Sequence, residues 1–451
     1  MTECNQSSFP FEAHFSRRVE ARFDGLAMTT DGGALLLRAV DKRVRLLQRV
    51  AACFSDGREA QRVEHELSEM LAQRIYGLAL GYEDLNDHEE LRHDPLLKVL
   101  AGKREVEQPL AGKSTLNRLE LAPADEPHRY HKITYSSETL DALLVEIFLE
   151  AHAQPPREIV LDLDVTDTPL HGEQEARFFH GYYGHYCYLP LYIFCGEHLL
   201  CARLRASNQD ASAGSVEEVG RIVRQIRRHW PRVRIILRAD SGFCREELMA
   251  WCEKHDVDYV FGLARNERLR RNIARPLREA RQEQRRTGKA ARVFAEFSYR
   301  TRKSWSRARR VVGKAEYLEK GENPRFVVTS VEAQAWPAQQ LYERLYCARG
   351  EMENRIKEQL SLFSDRLSTE TLRANQLRLY FSSLAYMLVH ALRRLALAGT
   401  EWASAQAATI RLRLLKISAE VRLTARRIWV RYSRAYPWKA LFAAAYAALI
   451  G

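Results

Sequence analysis

The sequence lacks any long apolar run. None of its 451 residues lies in a stretch of the roughly 20 apolar residues that a membrane-spanning helix needs. The N-terminal residues MTECNQSSFPFE also lack the apolar core of a signal peptide. The segment ALFAAAYAALI near the C-terminus is too short to span a bilayer, and it predicts a terminal helix that packs on the rest of the chain. We therefore expect a soluble cytoplasmic protein with no membrane partner.

Zinc-binding and nucleotide-binding patterns are missing as well. The eight cysteines include no Cys-x-x-Cys pair and no Cys/His spacing typical of zinc, so they predict reduced, mostly buried thiols. Ala-Gly-Lys-Ser-Thr at 111–115 resembles the end of a phosphate-binding loop. However, Glu107 stands where that loop requires a glycine, and no buried strand precedes it. These absences exclude a typical zinc site and an ATPase.

Acidic residues are scarce relative to basic ones. The formal net charge of +12 favours an anionic partner, nucleic acid before membrane. Residues 265–314 contain 18 Lys/Arg against 4 Asp/Glu, which is either a solvated helical face or a track for the DNA backbone. We favour the track because the excess has one sign and the segment carries aromatic residues. The candidate DNA-contacting residues in this segment are Arg302, Lys303, Trp305, Arg307, Arg309 and Arg310.

Two periodicities divide the chain. Residues from about 31 to 150 carry apolar side chains at three- and four-residue spacing, which predicts short helices. From Glu158 the spacing changes to two, and EIVLDLDVT, HYCYLPLYIF and HLLCARLRA predict three successive strands. A helix, the strand VRIILRAD, a second helix and the strand VDYVFGLA follow. This order is that of the RNase H-like (retroviral-integrase-like) α/β fold, in which the first strand lies beside the fourth.

We predict five regions. A mainly helical N-terminal DNA-binding region covers 1–150, and the first part of an RNase H-like catalytic core covers 151–265. A basic, β-rich insertion subdomain follows at 266–336. The catalytic helix and the end of the core cover 337–395, and a basic, mainly helical C-terminal region covers 396–451.

Acidic residues end two of the predicted strands. Asp164 ends IVLDLDVT and Asp240 ends VRIILRAD, and in the predicted fold the two would meet at one edge of the sheet. Asp240 could also serve only as a turn residue or helix cap. Asp162 shares a strand face with Asp164, so periodicity leaves it open as the alternative first ligand. Two acids in an apolar strand are unfavourable to bury without a compensating cation, which favours a metal site here.

The segment YCARGEMENRIKE supplies a third acid. Tyr346 and Arg349 stand three residues apart. Glu353 and Lys357 continue at four-residue spacing, so the four side chains form one stripe along a helix. Arg349 and Lys357 could simply form salt bridges with Glu353, but a phosphate held beside a metal-bound carboxylate would use the same residues. With the two strand-end aspartates, Glu353 completes a set of oxygen ligands for two Mg²⁺ or Mn²⁺ ions.

These strings resemble a known family. DLDVTD followed by LHG, Gly181-Tyr182-Tyr183, RADSGF and the Tyr-x2-Arg-x3-Glu spacing are similar to bacterial insertion-sequence transposases of the DDE superfamily. Within that superfamily the chain most resembles the insertion-sequence family numbered thirteen-eighty. The similarity runs from about Asp31 to the C-terminus and is strongest at 159–270 and 342–390.

The resemblance implies specific roles. Asp164, Asp240 and Glu353 would be the catalytic metal ligands, while Tyr346 and Arg349 would fill the signature positions. The late lysine of that signature falls on Leu360 here, while Lys357 stands one turn earlier.

The resemblance also implies an activity. The protein would bind double-stranded DNA at terminal inverted repeats and catalyse metal-dependent strand cleavage and transfer into target DNA. It would act as a homodimer on paired ends, in the bacterial cytoplasm and associated with the nucleoid. Two alternatives remain open: an RNase H-like nuclease without strand transfer, and a catalytically inactive DNA-binding protein.

Overall fold

The computed structural model of the protein describes residues 8–121 and 131–451. The strands in these ranges are β1 (Phe9–His14), β2 (Arg17–Ala21), β3 (Met28–Thr29), β4 (Phe54–Asp56), β5 (Ile133–Tyr135), β6 (Glu158–Val165), β7 (Thr168–Pro169), β8 (Phe178–His180), β9 (His185–Tyr188), β10 (Leu191–Cys195), β11 (His198–Arg203), β12 (Arg234–Ala239), β13 (Asp258–Leu263), β14 (Ala291–Tyr299), β15 (Arg309–Leu318), β16 (Gly321–Glu322), β17 (Arg325–Thr329), β18 (Ala419–Leu423) and β19 (Ile428–Tyr432). The α-helices are α1 (Leu35–Val44), α2 (Leu46–Ala51), α3 (Leu67–Leu80), α4 (His88–Leu91), α5 (Pro95–Ala101), α6 (Lys113–Glu120), α7 (Ser137–Glu150), α8 (Ser215–His229), α9 (Glu246–Lys254), α10 (Glu267–Asn272), α11 (Ala274–Thr287), α12 (Ala338–Gln340), α13 (Gly350–Ser361), α14 (Leu372–Leu392), α15 (Ala407–Ile410) and α16 (Lys439–Ile450).

The chain forms two compact units. The first unit contains the chain up to Ala51 together with residues 58–119 and 391–451, and the second contains residues 52–57 and 120–390. Within the described ranges, no helix is long and apolar enough to cross a membrane. None of the described cysteines forms a disulfide, and Cys4 lies outside the described residues.

The first unit is mainly helical and joins distant parts of the sequence. Strand β18 pairs with both β3 and β19, and α16 packs against α1. Helix α16 buries Leu441, Ala445 and Leu449, so the apolar terminal segment does pack on the body as predicted. The guanidinium of Arg43, in α1, donates a hydrogen bond to the carbonyl of Ala448, in α16, at 3.1 Å.

The second unit is an α/β structure around a sheet of nine of the described strands. Eight of them follow the order β11-β10-β6-β12-β13-β17-β15-β14, and β16 pairs with β15. Strand β6 pairs antiparallel with β10 and parallel with β12, so the first predicted strand does lie beside the fourth. The apolar residues of β6 and β12 are buried because the sheet carries apolar clusters on both faces.

Three sequence expectations need correction in this unit. The string HYCYLPLYIF forms two strands rather than one, because Pro190, which cannot donate to a ladder, separates β9 from β10. Strand β9 instead joins β7 and β8 in a small sheet of its own.

The insertion at 266–336 is the second correction. It begins with helices α10 and α11, and its strands continue the central sheet because β17 pairs with β13.

The third correction concerns helix α7, which the sequence analysis assigns to the N-terminal region. Its apolar face packs against β11 and α8, so it belongs to the second unit.

Candidate active site

The first two acids stand at the ends of neighbouring parallel strands. Register pairs Leu163 of β6 with Ala239 of β12, so Asp164 and Asp240 follow at adjacent positions. Asp240 caps a short 3₁₀ turn, with its Oδ1 accepting a hydrogen bond from the Gly242 N–H at 2.8 Å. The turn therefore fixes the Asp240 carboxylate beside the end of β6.

The third acid, Glu353, is connected to this edge of the sheet by hydrogen bonds of Arg349. The chain from Ala338 to Ser361 is helical but changes pitch, passing through a π-helical turn at Leu341–Tyr346 and a 3₁₀ turn at Cys347–Arg349. Arg349 donates from Nη1 to Asp164 Oδ2 at 2.8 Å and from Nη2 to Glu353 Oε1 at 3.4 Å. One guanidinium thus connects the strand-end carboxylate with the helical one.

The charges of the three carboxylates influence one another. Burial raises the pKa of Asp164 to about 6; Arg349 opposes this rise, and the negative charges of Asp240 and Glu353 add to it. Burial alone would lower the pKa of Arg349, but Asp164, Asp240 and Glu353 outweigh it and raise that pKa above its ordinary value. Glu353 keeps 53% of its side chain exposed, so the cluster opens to solvent on the helix side.

Tyr346 packs tightly on the turn that carries Asp240. A methyl group at Gly262 would lie 2.6 Å from the Tyr346 hydroxyl and 2.9 Å from the Ser241 nitrogen, so only glycine fits there. Burial raises the pKa of the Tyr346 hydroxyl, which keeps it protonated as a donor. Gly262 was missed by sequence reasoning, since a glycine within a strand indicates only a close backbone approach.

The alternative first ligand, Asp162, has a different environment. Arg238 donates to both of its oxygens, at 2.5 Å from Nε and 2.8 Å from Nη2, and donates from Nη1 to the Leu345 carbonyl at 2.5 Å. Asp162 is therefore engaged in a buried ion pair that fastens the π-helical turn to β6 and β12. A signal for this pair did exist in the sequence, where Arg238 interrupts an otherwise apolar strand.

The predicted DNA-contacting residues divide into two groups. Arg302, Lys303 and Arg307 are exposed, although Arg307 also pairs with Glu253 at 2.8 Å, and Lys357 is exposed on α13.

The other three are corrections. Trp305 is 4% exposed and packs edge-on against Tyr299 in the core, so it cannot contact DNA. Arg309 has only 2% of its side chain exposed and bonds to Glu253 and Glu246 at 2.7 and 2.6 Å.

Arg310 is the third correction. Its guanidinium bonds to Glu296 at 2.7 Å and to the carbonyls of Val331 and Trp336 at 2.8 and 2.9 Å. Residue type and charge could not reveal these partners, because strands β14 and β15 and helix α9 meet only in the tertiary structure.

Exposed basic residues of the insertion lie instead on its two helices. Arg271, Arg278 and Arg281 line a groove of about 300 Å³ with Leu277 between them, and Arg281 also stacks over the Tyr317 ring at 5.8 Å. Within the same groove Arg270 pairs with Glu267 and Glu322. This face of α10 and α11 is a second exposed basic surface of the segment, beside that of Arg302, Lys303 and Arg307.

Asp164, Asp240 and Glu353 are ligands of the chemical type that a divalent cation prefers. Three carboxylates of separate elements raise the pKa of the same arginine, and hard oxygen atoms are the ligands that Mg²⁺ and Mn²⁺ prefer. Among residues 8–121 and 131–451, no three His, Cys, Asp or Glu side chains stand close enough to form a closed metal cluster. Arg349 lies between Asp164 and Glu353 and donates a hydrogen bond to each.

The chain matches a known protein family and is similar to a solved structure. The family profile described as transposase DDE domain group 1 matches residues 11–450. No curated protein sequence matches the chain. Among solved structures the chain is similar to the cryo-EM structure of a piggyBac transposase synaptic complex with hairpin DNA. The TM-score is 0.40 and the identity 10%, over 85% of this chain and 79% of that chain.

Proposed function

The chain belongs to the transposase DDE domain family, group 1, and on that premise we propose that it cuts and joins DNA at the ends of an insertion sequence. The observation that carries the proposal is the meeting of Asp164, Asp240 and Glu353 around Arg349. We place this site in an RNase H-like core and the protein in the insertion-sequence family numbered thirteen-eighty, in bacteria. The strand order, with β6 beside β12, supports that core.

Each residue of the site has a proposed task. Asp164, Asp240 and Glu353 would hold two divalent ions, Mg²⁺ or Mn²⁺, which supply Lewis-acid activation of the attacking water or 3′-hydroxyl and of the phosphate. The planar fork of Arg349 suits two oxygens of the reacting phosphate, and Tyr346 holds the Asp240 turn in place. Lys357, one turn beyond Glu353, would contact a more distant phosphate.

DNA would be held mainly through its phosphates. The exposed residues Arg302, Lys303 and Arg307 and the basic face of α10 and α11 support a track that binds terminal inverted repeats and target DNA. Two ends must be joined in one event, so we propose a homodimer on paired ends, associated with the nucleoid in the cytoplasm.

Cleavage of a labelled DNA end tests the site. Asp164→Asn, Asp240→Asn and Glu353→Gln each remove a ligand charge but keep the side-chain shape, so each should abolish metal-dependent cleavage and leave end binding nearly unchanged. Asp162→Asn is the matched control, because its loss should lower the melting temperature by leaving Arg238 unpaired. Normal cleavage by Asp164→Asn, with none by a folded Asp162→Asn, would contradict the assignment.

Joining of the cut end to a second DNA tests the reaction type. A transposase should give the joined product from the same three carboxylates. Cleavage without joining would identify a nuclease, and binding without cleavage would identify an inactive DNA-binding protein.

A further inference from the structure

An aromatic hairpin stands beside the proposed active site. Strands β8 and β9 and their connecting turn form this hairpin, residues 178–188, and expose an unusual number of rings. Phe179 is 58% exposed and Tyr182, at the tip, 86%, and both Phe178 and Tyr186 are also exposed. A contiguous group of exposed aromatic rings is typical of a binding surface. Register places Phe179 opposite Tyr186, with ring centroids 5.6 Å apart.

The hairpin is firmly attached to the second unit. The Ser207 hydroxyl donates to the Phe178 carbonyl at 2.9 Å, and β9 pairs with β7. The Tyr188 hydroxyl donates to the Glu175 carbonyl at 2.6 Å, and the Arg177 guanidinium stacks over the Tyr186 ring at 4.6 Å. The exposed rings are therefore presented by a fixed scaffold.

This scaffold contacts the segment that follows Asp164 in the chain. His185 of β9 forms a 2.8 Å contact between its Nε2 and the Oδ2 of Asp167, three residues beyond Asp164. The Tyr183 ring packs 5.1 Å from the Tyr182 ring. Burial, followed by the charges of Asp167 and then Asp164 among others, raises the pKa of Tyr183 to about 12. The hairpin is thus anchored by His185 to Asp167, three residues beyond Asp164.

The composition of the hairpin indicates which part of DNA it contacts. Residues 178–188 contain no lysine or arginine, so the hairpin offers no charge for a phosphate backbone. Aromatic rings bind nucleobases by stacking on their faces, and in duplex DNA those faces are covered by neighbouring base pairs. The hairpin has no lysine or arginine of its own, and the Arg177 guanidinium beside it is already paired with Glu173, so its rings suit unpaired bases better than phosphates.

We propose that the aromatic hairpin stacks on unpaired bases next to the phosphodiester that is cut, so that the preferred substrate is DNA locally opened at the cleavage site. This inference rests on the proposed function. Tyr182 and Phe179 supply the rings, and the neighbouring carboxylates act on the bond beside the opened bases.

Binding to two matched DNAs tests the proposal. One is a duplex carrying the inverted repeat that flanks the gene, and the other is the same duplex with mismatched bases at the cut site. The wild-type protein should bind the opened duplex roughly tenfold or more tightly, the scale of one base–aromatic stack. Tyr182→Ala and Phe179→Ala should bring the ratio of affinities for the opened and the fully paired duplex toward one, whereas Tyr182→Phe should retain the wild-type ratio. Tyr446→Ala, at another exposed tyrosine, is the control substitution.

Two results would overturn the inference: equal wild-type affinities for the two duplexes, or an undiminished preference for the opened duplex in Tyr182→Ala. A change of oligomeric state in that variant, with the preference intact, would in addition identify the hairpin as a protein contact. Metal-dependent cleavage by the wild-type protein, measured on the same duplexes, separates the two claims. If the wild-type protein cleaves but does not prefer the opened duplex, only the stacking proposal is contradicted. If it prefers the opened duplex but does not cleave, only the proposed function is contradicted. Unchanged melting temperatures for the variants would show that the fold is intact, because the substituted rings are largely exposed.

Discussion

At the residue scale, identical side chains in one strand differ in their partners. Asp162 and Asp164 share a face of β6, yet both oxygens of Asp162 bind Arg238, whereas Asp164 meets Arg349 and the other carboxylates. The first aspartate therefore contributes to structure, and the second carries an unfavourable concentration of negative charge. Such electrostatic strain is typical of functional sites.

The raised pKa of Asp164 predicts a pH-dependent gain from Asp164→Asn. The carboxyl has a pKa of about 6 in the folded protein and near its ordinary 3.8 when unfolded. The wild-type protein therefore becomes more stable as pH falls through 6, whereas the variant lacks this contribution. In metal-free buffer, the variant's stability relative to wild type should rise by about 2–3 kcal/mol between pH 4 and pH 8.

Urea unfolding at several pH values measures this difference. Because removing the carboxylate also leaves Arg349 without one partner, only the pH-dependent part of the difference is diagnostic. A stability difference that stays constant from pH 4 to pH 8 would contradict the raised pKa.

Arg349→Lys should separate geometry from charge. Lysine keeps the positive charge but cannot reach Asp164 and Glu353 with two donors of one planar group. We expect the cleavage rate to fall by about 10²–10³-fold, the usual effect of losing a donor at a reacting group, with little change in melting temperature.

Arg344→Lys is the matched control, since Arg344 is exposed on the preceding turn. Single-turnover cleavage of a labelled DNA end gives the rates. If both lysine variants cleave at the wild-type rate, Arg349 does not act on the reacting phosphate.

At the element scale, the insertion has a structural role beside the DNA-binding role that we propose for it. Strands β15 and β17 extend the central sheet, and Arg309 ties the start of β15 to α9 through Glu246 and Glu253. The exposed charge lies mainly on α10, α11 and the turn before β15. The basic residues of this segment therefore divide into strand residues held in ion pairs and exposed residues on the helices and the turn.

Arg309→Ala should destabilise the protein strongly. Its removal leaves the partly buried Glu246 without its guanidinium and Glu253 with Arg307 alone, and breaking such a buried pair typically costs about 3–5 kcal/mol. Arg302→Ala and Lys303→Ala should leave the free energy of unfolding within about 0.5 kcal/mol of wild type.

The same variants should differ in DNA binding. If Arg302 and Lys303 contact phosphates, each alanine should reduce the log–log salt slope of DNA affinity by roughly 0.9. Urea titration and binding at several salt concentrations supply both quantities. A stable Arg309→Ala protein with a reduced salt slope would return Arg309 to the DNA-contacting group.

At the scale of the whole molecule, the first unit is assembled from both ends of the chain. Strand β3 pairs with β18, and α1 packs against α16. Gly33 fits against the Leu414 carbonyl so closely that an added methyl group would lie 1.9 Å from its oxygen. The C-terminal residues are therefore part of the unit that contains the N-terminal helices.

Truncation after His390 should prevent the first unit from folding. The shortened chain would leave the apolar face of α1 without α16 and β3 without its partner strand, so it should aggregate or become sensitive to proteolysis in residues 8–119. Limited proteolysis with mass spectrometry locates the cuts. A truncated protein that protects residues 8–119 as well as the full chain does would contradict this dependence.

The sequence by itself indicated the chemistry that we propose and most of the order of elements in the central sheet. A change from helical to alternating periodicity located the strands, and an acid at the end of two of them pointed to one sheet edge. The spacing of Tyr346, Arg349 and Glu353 predicted a common helix face, and the structure places Arg349 and Glu353 in contact. These features are local, so they can be recognised without knowing which elements become neighbours.

Only the tertiary structure decided between residues of the same type. Arg238 lies opposite Asp162 because β6 and β12 pair in one register, and Arg309 is buried because α9 crosses the start of β15. Such contacts join residues more than 50 positions apart, and the free energy of burying a charge depends on those partners rather than on the neighbouring sequence. For the same reason the sequence predicted surface positions for Trp305 and Arg309, which are buried, and for Arg310, which is half-buried and bonded to Glu296 and two carbonyls.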